Sequence, residues 1–252
     1  MKAIALFFGA LFLAQMGTAQ YGINAGAHFL HATEWENAIE GRSAGAESYA
    51  TNFYLGVDYW FRLKNRRIEF FPELGYARTK ADNRYDFEGN EWREENILQS
   101  ASFFFNTHFY LLDFATDCNC PTFSKDGDVI KKGFFVRLAP GVQWLDYETK
   151  LLQEDTGDDM VGNFFVDDQF VFSLRGGIGI DIGLSDFLTL TPIVQANYTF
   201  DAAWPNLQEG PEQFSPDYDP TITSALSDSP LQWMAGLRIG LRFDELNKYG
   251  YR

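Results

Sequence analysis

Cysteine is nearly absent. The 252 residues hold two, Cys118 and Cys120, with Asn119 alone between them. That spacing excludes a disulfide-framed fold. Histidine is scarce too: His28, His31 and His108 are three isolated residues, and two thiolates with no histidine beside them make a poor zinc site, so no metal or cofactor is expected. Cations are few. Twenty Lys and Arg stand against 35 Asp and Glu, a formal charge of −15, which argues against nucleic acid as a partner and against binding to anionic surfaces by overall charge. Past residue 19 no stretch approaches 18 consecutive apolar residues, so any membrane crossing by the mature chain must use strands.

Residues 1–19 read as an export leader. Lys2 is the basic start, Ala3–Ala14 the apolar run, and Gly17-Thr18-Ala19 the small residues a signal peptidase needs. Cleavage after Ala19 leaves Gln20 at the mature N-terminus. Residues 20–252 then suit one domain, one charge unit more negative once Lys2 is gone.

Aromatic residues are abundant, at 17% with 25 Phe. Near the C-terminus, Leu231–Phe243 alternates apolar Leu231, Trp233, Ala235, Leu237, Ile239, Leu241 and Phe243 with Gln232, Met234, Gly236, Arg238, Gly240 and Arg242. Thirteen alternating residues ending on an aromatic exceed a usual soluble strand and cover the roughly 9–11 that a tilted strand needs to cross a bilayer. Seven earlier stretches alternate in the same way: Tyr21–His31, Tyr49–Arg62, Ile68–Lys80, Ile97–Leu112, Phe134–Tyr147, Gln169–Leu184 and Phe187–Phe200. The segments between them, Ala32–Ser48, Ala81–Glu95, Glu148–Asp168 and Asp201–Pro230, read as long polar loops. Lys64-Asn65-Arg66 and Ser185-Asp186 read as tight turns.

An even number of strands with alternating long and short connections predicts an eight-stranded antiparallel transmembrane β-barrel of an outer membrane, with long loops outside and the N-terminus in the periplasm. Asp113–Lys132, which carries both cysteines, breaks the pattern as a long connection on the periplasmic side. A soluble barrel of lipocalin type would turn its bulky set inward. Here the bulky set is continuous and the opposite set is small, Gly-rich and polar, which fits a narrow interior.

That opposite set includes Asp58, Arg62, Glu69, Glu73, His108, Arg137, Arg175, Asp181, Arg238 and Arg242. Around the turn at Asn65, hairpin register sets Asp58 opposite Glu73 and Arg62 opposite Glu69. Two adjacent acids repel, so Arg238 or Arg242 is expected to reach them, and Arg137 is expected to meet Asp181. Such residues read best as ion pairs plugging the lumen, with a gated ion path as the functional alternative. His28 and His31 at the top of the first strand are the candidates for a lipid-modifying enzyme, although no nucleophile is paired with them in sequence. Cys118 and Cys120 read as a strained local disulfide or a link to a partner. Acidic loop residues (Asp155, Asp158, Asp159, Asp167, Asp168, Asp217, Asp219) lack the spacing of a calcium loop.

Pro72, Pro140 and Pro192 fall within the third, fifth and seventh strands, where bulges are expected to absorb the missing donor. Phe71-Pro72-Glu73-Leu74-Gly75-Tyr76, followed by Arg78 and Lys80, resembles the proline-Glu-Leu-x-Tyr strand of small Bacteroidota outer-membrane barrels of the PorT type. Leu138-Ala139-Pro140-Gly141-Val142 is similar to a later strand of theirs. The family includes type IX secretion components. With no convincing catalytic set and large connections on both sides of the membrane, the chain reads as an accessory or assembly subunit of an outer-membrane protein complex, secretion-related by the resemblance. Outer-membrane lipid and lipopolysaccharide are expected around it, with a protein partner. A lipid-modifying enzyme and a narrow channel are the alternatives.

Overall fold

The computed structural model describes residues 20–40, 52–62, 68–87, 90–110, 130–153, 162–185, 187–205 and 225–242. The leader, Cys118, Cys120 and most of Asp113–Lys132 lie outside the described residues. Eight strands close into an antiparallel barrel: β1 (Gln20–His31), β2 (Asn52–Arg62), β3 (Ile68–Phe87), β4 (Asn90–Tyr110), β5 (Ile130–Gln153), β6 (Gly162–Gly183), β7 (Leu188–Thr199) and β10 (Leu231–Arg242). Each strand pairs with its neighbour in sequence, and β1 closes the ring on β10.

The strands come in two lengths. β1, β2, β7 and β10 have 11 or 12 residues, about what a bilayer requires. β3, β4, β5 and β6 have 20, 21, 24 and 22, and they are contiguous in the barrel. They therefore stand above the membrane as a half-wall. Ala81–Glu95 and Glu148–Asp168, expected as loops, belong largely to this wall. Its open side is filled by a short helix, α1 (Thr33–Glu40), and a two-stranded sheet of β8 (Ala202–Pro205) and β9 (Ala225–Asp228), also in segments expected to be loops. In α1 the early Glu34 and Glu36 suit the helix N-terminus, and the Glu36 side chain accepts from the Ala32 N–H.

The outward face carries the lipid belt. Leu55, Val57, Leu74, Phe103, Leu138, Ile178, Val194, Leu237 and Ile239 are exposed, and Phe172 is 73% exposed. At the periplasmic end, outward rings run from strand to strand: Tyr21 against Tyr59, and Phe61 against both Phe70 and Phe105. At the outer end Phe53, Tyr76, Trp144, Phe170, Tyr198 and Trp233 form the second girdle, with the Tyr76 hydroxyl donating to Gln99 and the Trp144 indole to Asp168. Two aromatic girdles around an apolar band are what a membrane barrel presents to lipid.

The prolines are handled without bulges. Around Pro72, Pro140 and Pro192, β2–β3, β4–β5 and β6–β7 each miss two successive pairs, yet the register is the same on both sides of each gap. Each proline meanwhile stays paired on its other side, with Phe105, Leu174 and Leu237. Losing the donor toward one neighbour interrupts the ladder locally. The irregularity that shifts register falls between Ile130 and Gly133, where Gly133 has φ 78°, a conformation glycine reaches without cost.

Candidate functional site: the filled lumen

Inward residues of the membrane-embedded half interlock in layers. At the periplasmic end, the Trp60 indole donates to Glu69 at 2.7 Å. The Tyr110 hydroxyl donates to Asp181 at 2.6 Å and lies 3.2 Å from Glu69, and the Thr191 hydroxyl also donates to Asp181. Above this, Arg238 grips Asp58 with two parallel bonds of 2.7 Å, while Asn24 donates to the same carboxylate. Two-point guanidinium–carboxylate geometry is the strongest form of such a pair. The Arg238 guanidinium also lies over the Phe71 ring, and His108 is sandwiched between Phe71 and Phe135, with centroids 4.1 and 4.0 Å away.

Glu73 is the hub of the next layer. It accepts from the Tyr54 hydroxyl, from Arg137 at 3.0 Å and from Arg175 at 2.7 Å. Arg137 reaches on to Gln195 at 2.8 Å, and Arg175 lies 3.7 Å above the Phe104 ring. Toward the outer end, His28 and Thr79 share a 2.8 Å hydrogen bond, and Gln143 donates to Ser173 and Thr199.

The structure thus joins Asp58 to Arg238, and Glu73 to Arg137 and Arg175. The expected Arg137–Asp181 meeting does not form. Arg137 is registered against Gly177, four residues from Asp181, and its guanidinium crosses the lumen to Glu73. Glu69 and Asp181 instead meet through Tyr110. Arg62 is registered opposite Glu69 and Arg242 opposite Gln20, but their side chains lie outside what the structure describes.

An interior expected to be small and polar is also aromatic. Tyr54, Trp60, Phe71, Phe104, Tyr110 and Phe135 all point in. Inward glycines make their space: a Cβ at Gly75, Gly141 or Gly179 would fall 2.2, 2.3 or 2.4 Å from Tyr54, Phe104 or Phe135. The pairing of a glycine on one strand with a ring from another is a three-dimensional fact. A single strand read by itself shows only the glycine.

Above the membrane the interior becomes a hydrophobic core of Leu30, Trp35, Ala81, Leu98, Leu145, Tyr147, Val171 and Trp204, with Leu226 against it. Trp35, of α1, is fully buried and packs edge-on against Trp204 and Tyr147, with its indole donating to the Leu226 carbonyl. Burial pushes the Tyr147 hydroxyl well above its usual range, so it stays protonated and accepts a hydrogen bond from the Gln169 amide. This core caps the lumen.

Among the described residues the lumen holds small cavities of about 20 Å³ beside Trp60, Phe71, Asp181 and Arg238 and of about 10 Å³ beside His28, Gln143, Arg175 and Gln195. Each is the size of about one water molecule. Among the described residues, no three His, Cys, Asp or Glu side chains gather closely enough to hold a metal ion.

No family model matches the chain, and no curated protein matches it. Solved structures do. Neisserial surface protein A covers 89% of this chain and 96% of its own at 11% identity and a TM-score of 0.35. Ail of Yersinia pestis, solved with the heparin analogue sucrose octasulfate, covers 89% and 99% at 8% identity and 0.43. A major outer membrane protein of Thermus thermophilus covers 88% and 99% at 11% identity and 0.43. At such identities the likeness is one of architecture. With its closed ring, apolar belt and two aromatic girdles, the chain is an eight-stranded β-barrel of the outer membrane, filled and capped.

Proposed function

We propose that this barrel is a non-enzymatic accessory or assembly subunit of an outer-membrane protein complex, working through its outer wall and periplasmic connection. The observation that carries the reading is the filled lumen. Ion-paired layers and an apolar cap fill the described lumen, where the cavities beside Asp181 and beside His28 each have space for about one water, so the surfaces free to act lie outside. The likeness of the Pro72 and Pro140 segments to barrels of the PorT type favours a secretion-related complex.

The alternatives fare less well on the same geometry. A lipid-modifying enzyme needs a base and nucleophile open to an acyl chain. His28 bonds Thr79 but is buried beside a 10 Å³ space, while His31 is exposed and pairs with Glu36 at 3.1 Å. A channel would have to break the Glu73 hub. Native co-purification from gently solubilised outer membranes tests the proposal. A stoichiometric partner is expected with the intact chain, and its loss on deletion of 113–132, or in Cys118→Ser/Cys120→Ser, with the barrel still inserted. A barrel recovered alone would overturn it. The membrane's lipid A profile should be unchanged in His28→Ala/His31→Ala, and bilayer recordings of the wild type should be silent.

A further inference from the structure

The outer wall has a charge pattern that the chain's overall acidity hides. On β3 the positions beyond the girdle that alternate with the buried ones are Arg78, Lys80, Asp82, Arg84 and Asp86, registered against Gln99, the buried Ile97, Glu95, Arg93 and Glu91 of β4. Nearest the girdle, Arg78 and Lys80 are two cations with no acid opposite them on β4, in a protein of net charge −15, and the acids Asp82, Glu95, Asp86 and Glu91 lie farther out. On β5 and β6 the equivalent outward positions are Asp146, Glu148 and Lys150, with Asp168 opposite Asp146. Next to the girdle, the wall is basic on one hairpin and acidic on the next.

The basic half is built. Lys80 and Arg93 both bind Asp82 and Glu95, at 3.0 to 3.7 Å, which holds the two cations side by side on one face. Arg78 is exposed and forms no ion pair among the described residues. Its position follows from the strand: it is the first outward residue beyond girdle Tyr76, with Lys80 the second, about 7 and 14 Å along a tilted strand. The headgroup layer is roughly 5–7 Å deep on each face of a bilayer, and long Lys and Arg side chains bend toward it. Beneath Arg78 lie Leu74, 62% exposed, with Tyr76, Phe53 and Leu55, a surface for acyl chains.

We propose that this face, centred on Arg78 and Lys80 with Arg93 behind them, binds a phosphorylated glycolipid of the outer leaflet. The phosphate meets the Arg78 fork and the Lys80 ammonium, and an acyl chain lies along Leu74 and Leu55. The overall charge would repel such a lipid elsewhere on the outer wall, so binding is confined to this hairpin. The proposal stands on the outer-membrane setting and is independent of whether the barrel has a protein partner.

Native mass spectrometry of the full chain in neutral detergent tests it, with diphosphorylated lipid A, its dephosphorylated form and phosphatidylglycerol as probes. The wild type is expected to retain diphosphorylated lipid A and to release the dephosphorylated form. Arg78→Gln/Lys80→Gln should weaken retention by about five-fold per cation removed. Glu148→Gln/Asp168→Asn on the acidic half should leave it unchanged or stronger. A shift in gel mobility between unheated and boiled samples reports that each variant is folded. Equal retention by the Arg78/Lys80 variant, or of the dephosphorylated lipid, would overturn the site. Phosphatidylglycerol held as tightly as lipid A would overturn the glycolipid assignment.

Discussion

Within the membrane this barrel is largely polar inside and apolar outside; above it, the exterior is charged and the interior holds an apolar core beside buried Asn83, Glu94, Asn96 and Thr149. Strand β5 carries both regimes. Through Trp144 its outward residues are Val136, Leu138, Val142 and Trp144, and its inward ones include Arg137 and Gln143. From the next residue on, Leu145 and Tyr147 are the buried ones, and Asp146, Glu148 and Lys150 face out. The backbone alternation never slips. Only the solvent on the outer face changes, and the hydrophobic phase reverses with it. The outward face turns from apolar to charged at the corresponding points between Tyr76 and Arg78 on β3 and between Phe170 and Asp168 on β6. The lower half is thus built as a membrane barrel, and the upper half as a water-exposed half-wall with its own core, carried on four of the same strands.

The two halves should break differently. Glu73→Ala in the lower half strands the guanidinium groups of both Arg137 and Arg175 in a closed interior. Removing one partner of a buried pair costs about 3–5 kcal/mol, and here two cations lose theirs. Urea unfolding of the barrel in lipid should show a loss at least that large. Replacing Glu73, Arg137 and Arg175 together by apolar residues should cost less than Glu73→Ala alone. If the single variant unfolds like wild type, the lumen is wetter than its packing implies.

Leu98→Ala in the upper half removes a buried side chain from the cap. Large-to-small changes of this kind cost about 2–5 kcal/mol. The loss should appear as faster proteolysis of the outer halves of β3–β6, with global unfolding of the lower barrel little changed. Equal losses in both assays would make the two halves one cooperative unit.

This division also decides what the sequence could tell. Strands that cross lipid must show apolar residues on alternate positions, so eight strands and their inward faces were legible, Asp58 and Glu73 included. Above the membrane that obligation ends. Ala81, Asn83, Glu94 and Asn96 are buried while Asp82, Arg84 and Arg93 face out, so the alternation is no longer one of hydrophobicity and the stretch reads as loop. Eight residues with Trp35 and Ala38 as their packed side chains give α1 too little periodicity to register. The partners of Glu73 were out of reach for another reason. Arg137 and Arg175 contact it across the lumen, from strands that are not its neighbours, and hairpin register speaks only of neighbours.

Glycine substitutions sharpen the packing side of the comparison. Gly141→Ala would set a methyl group 2.3 Å from Phe104 and 2.6 Å from the Phe103 carbonyl, in a layer with no room to yield. Overpacking of this kind costs about 1–3 kcal/mol. Gly176 has nothing within 4 Å of the same position, so Gly176→Ala should be close to neutral. Unfolding midpoints of the two variants measured side by side would test whether the inward glycines are there to seat rings.

The smallest effects lie on the outer wall, where they carry a sign. Partial burial, and then the charges of Glu148 and Asp168, hold the Asp146 carboxyl above its usual range. A carboxyl raised in the folded state disfavours folding once it must ionise. That cost is absent below the ordinary Asp value of roughly 3.9 and fully present above the raised one. Asp146→Asn should therefore raise the unfolding midpoint slightly at neutral pH and leave it unchanged near about pH 3. Asp82→Asn on the basic hairpin takes away a partner of both Lys80 and Arg93 and should shift the neutral-pH midpoint the other way. Both shifts should shrink in high salt, because these side chains are exposed enough to be screened. Shifts of the same sign in the two variants would mean that the wall responds to the chain's total negative charge, and that the contrast between its basic and acidic halves has no energetic weight.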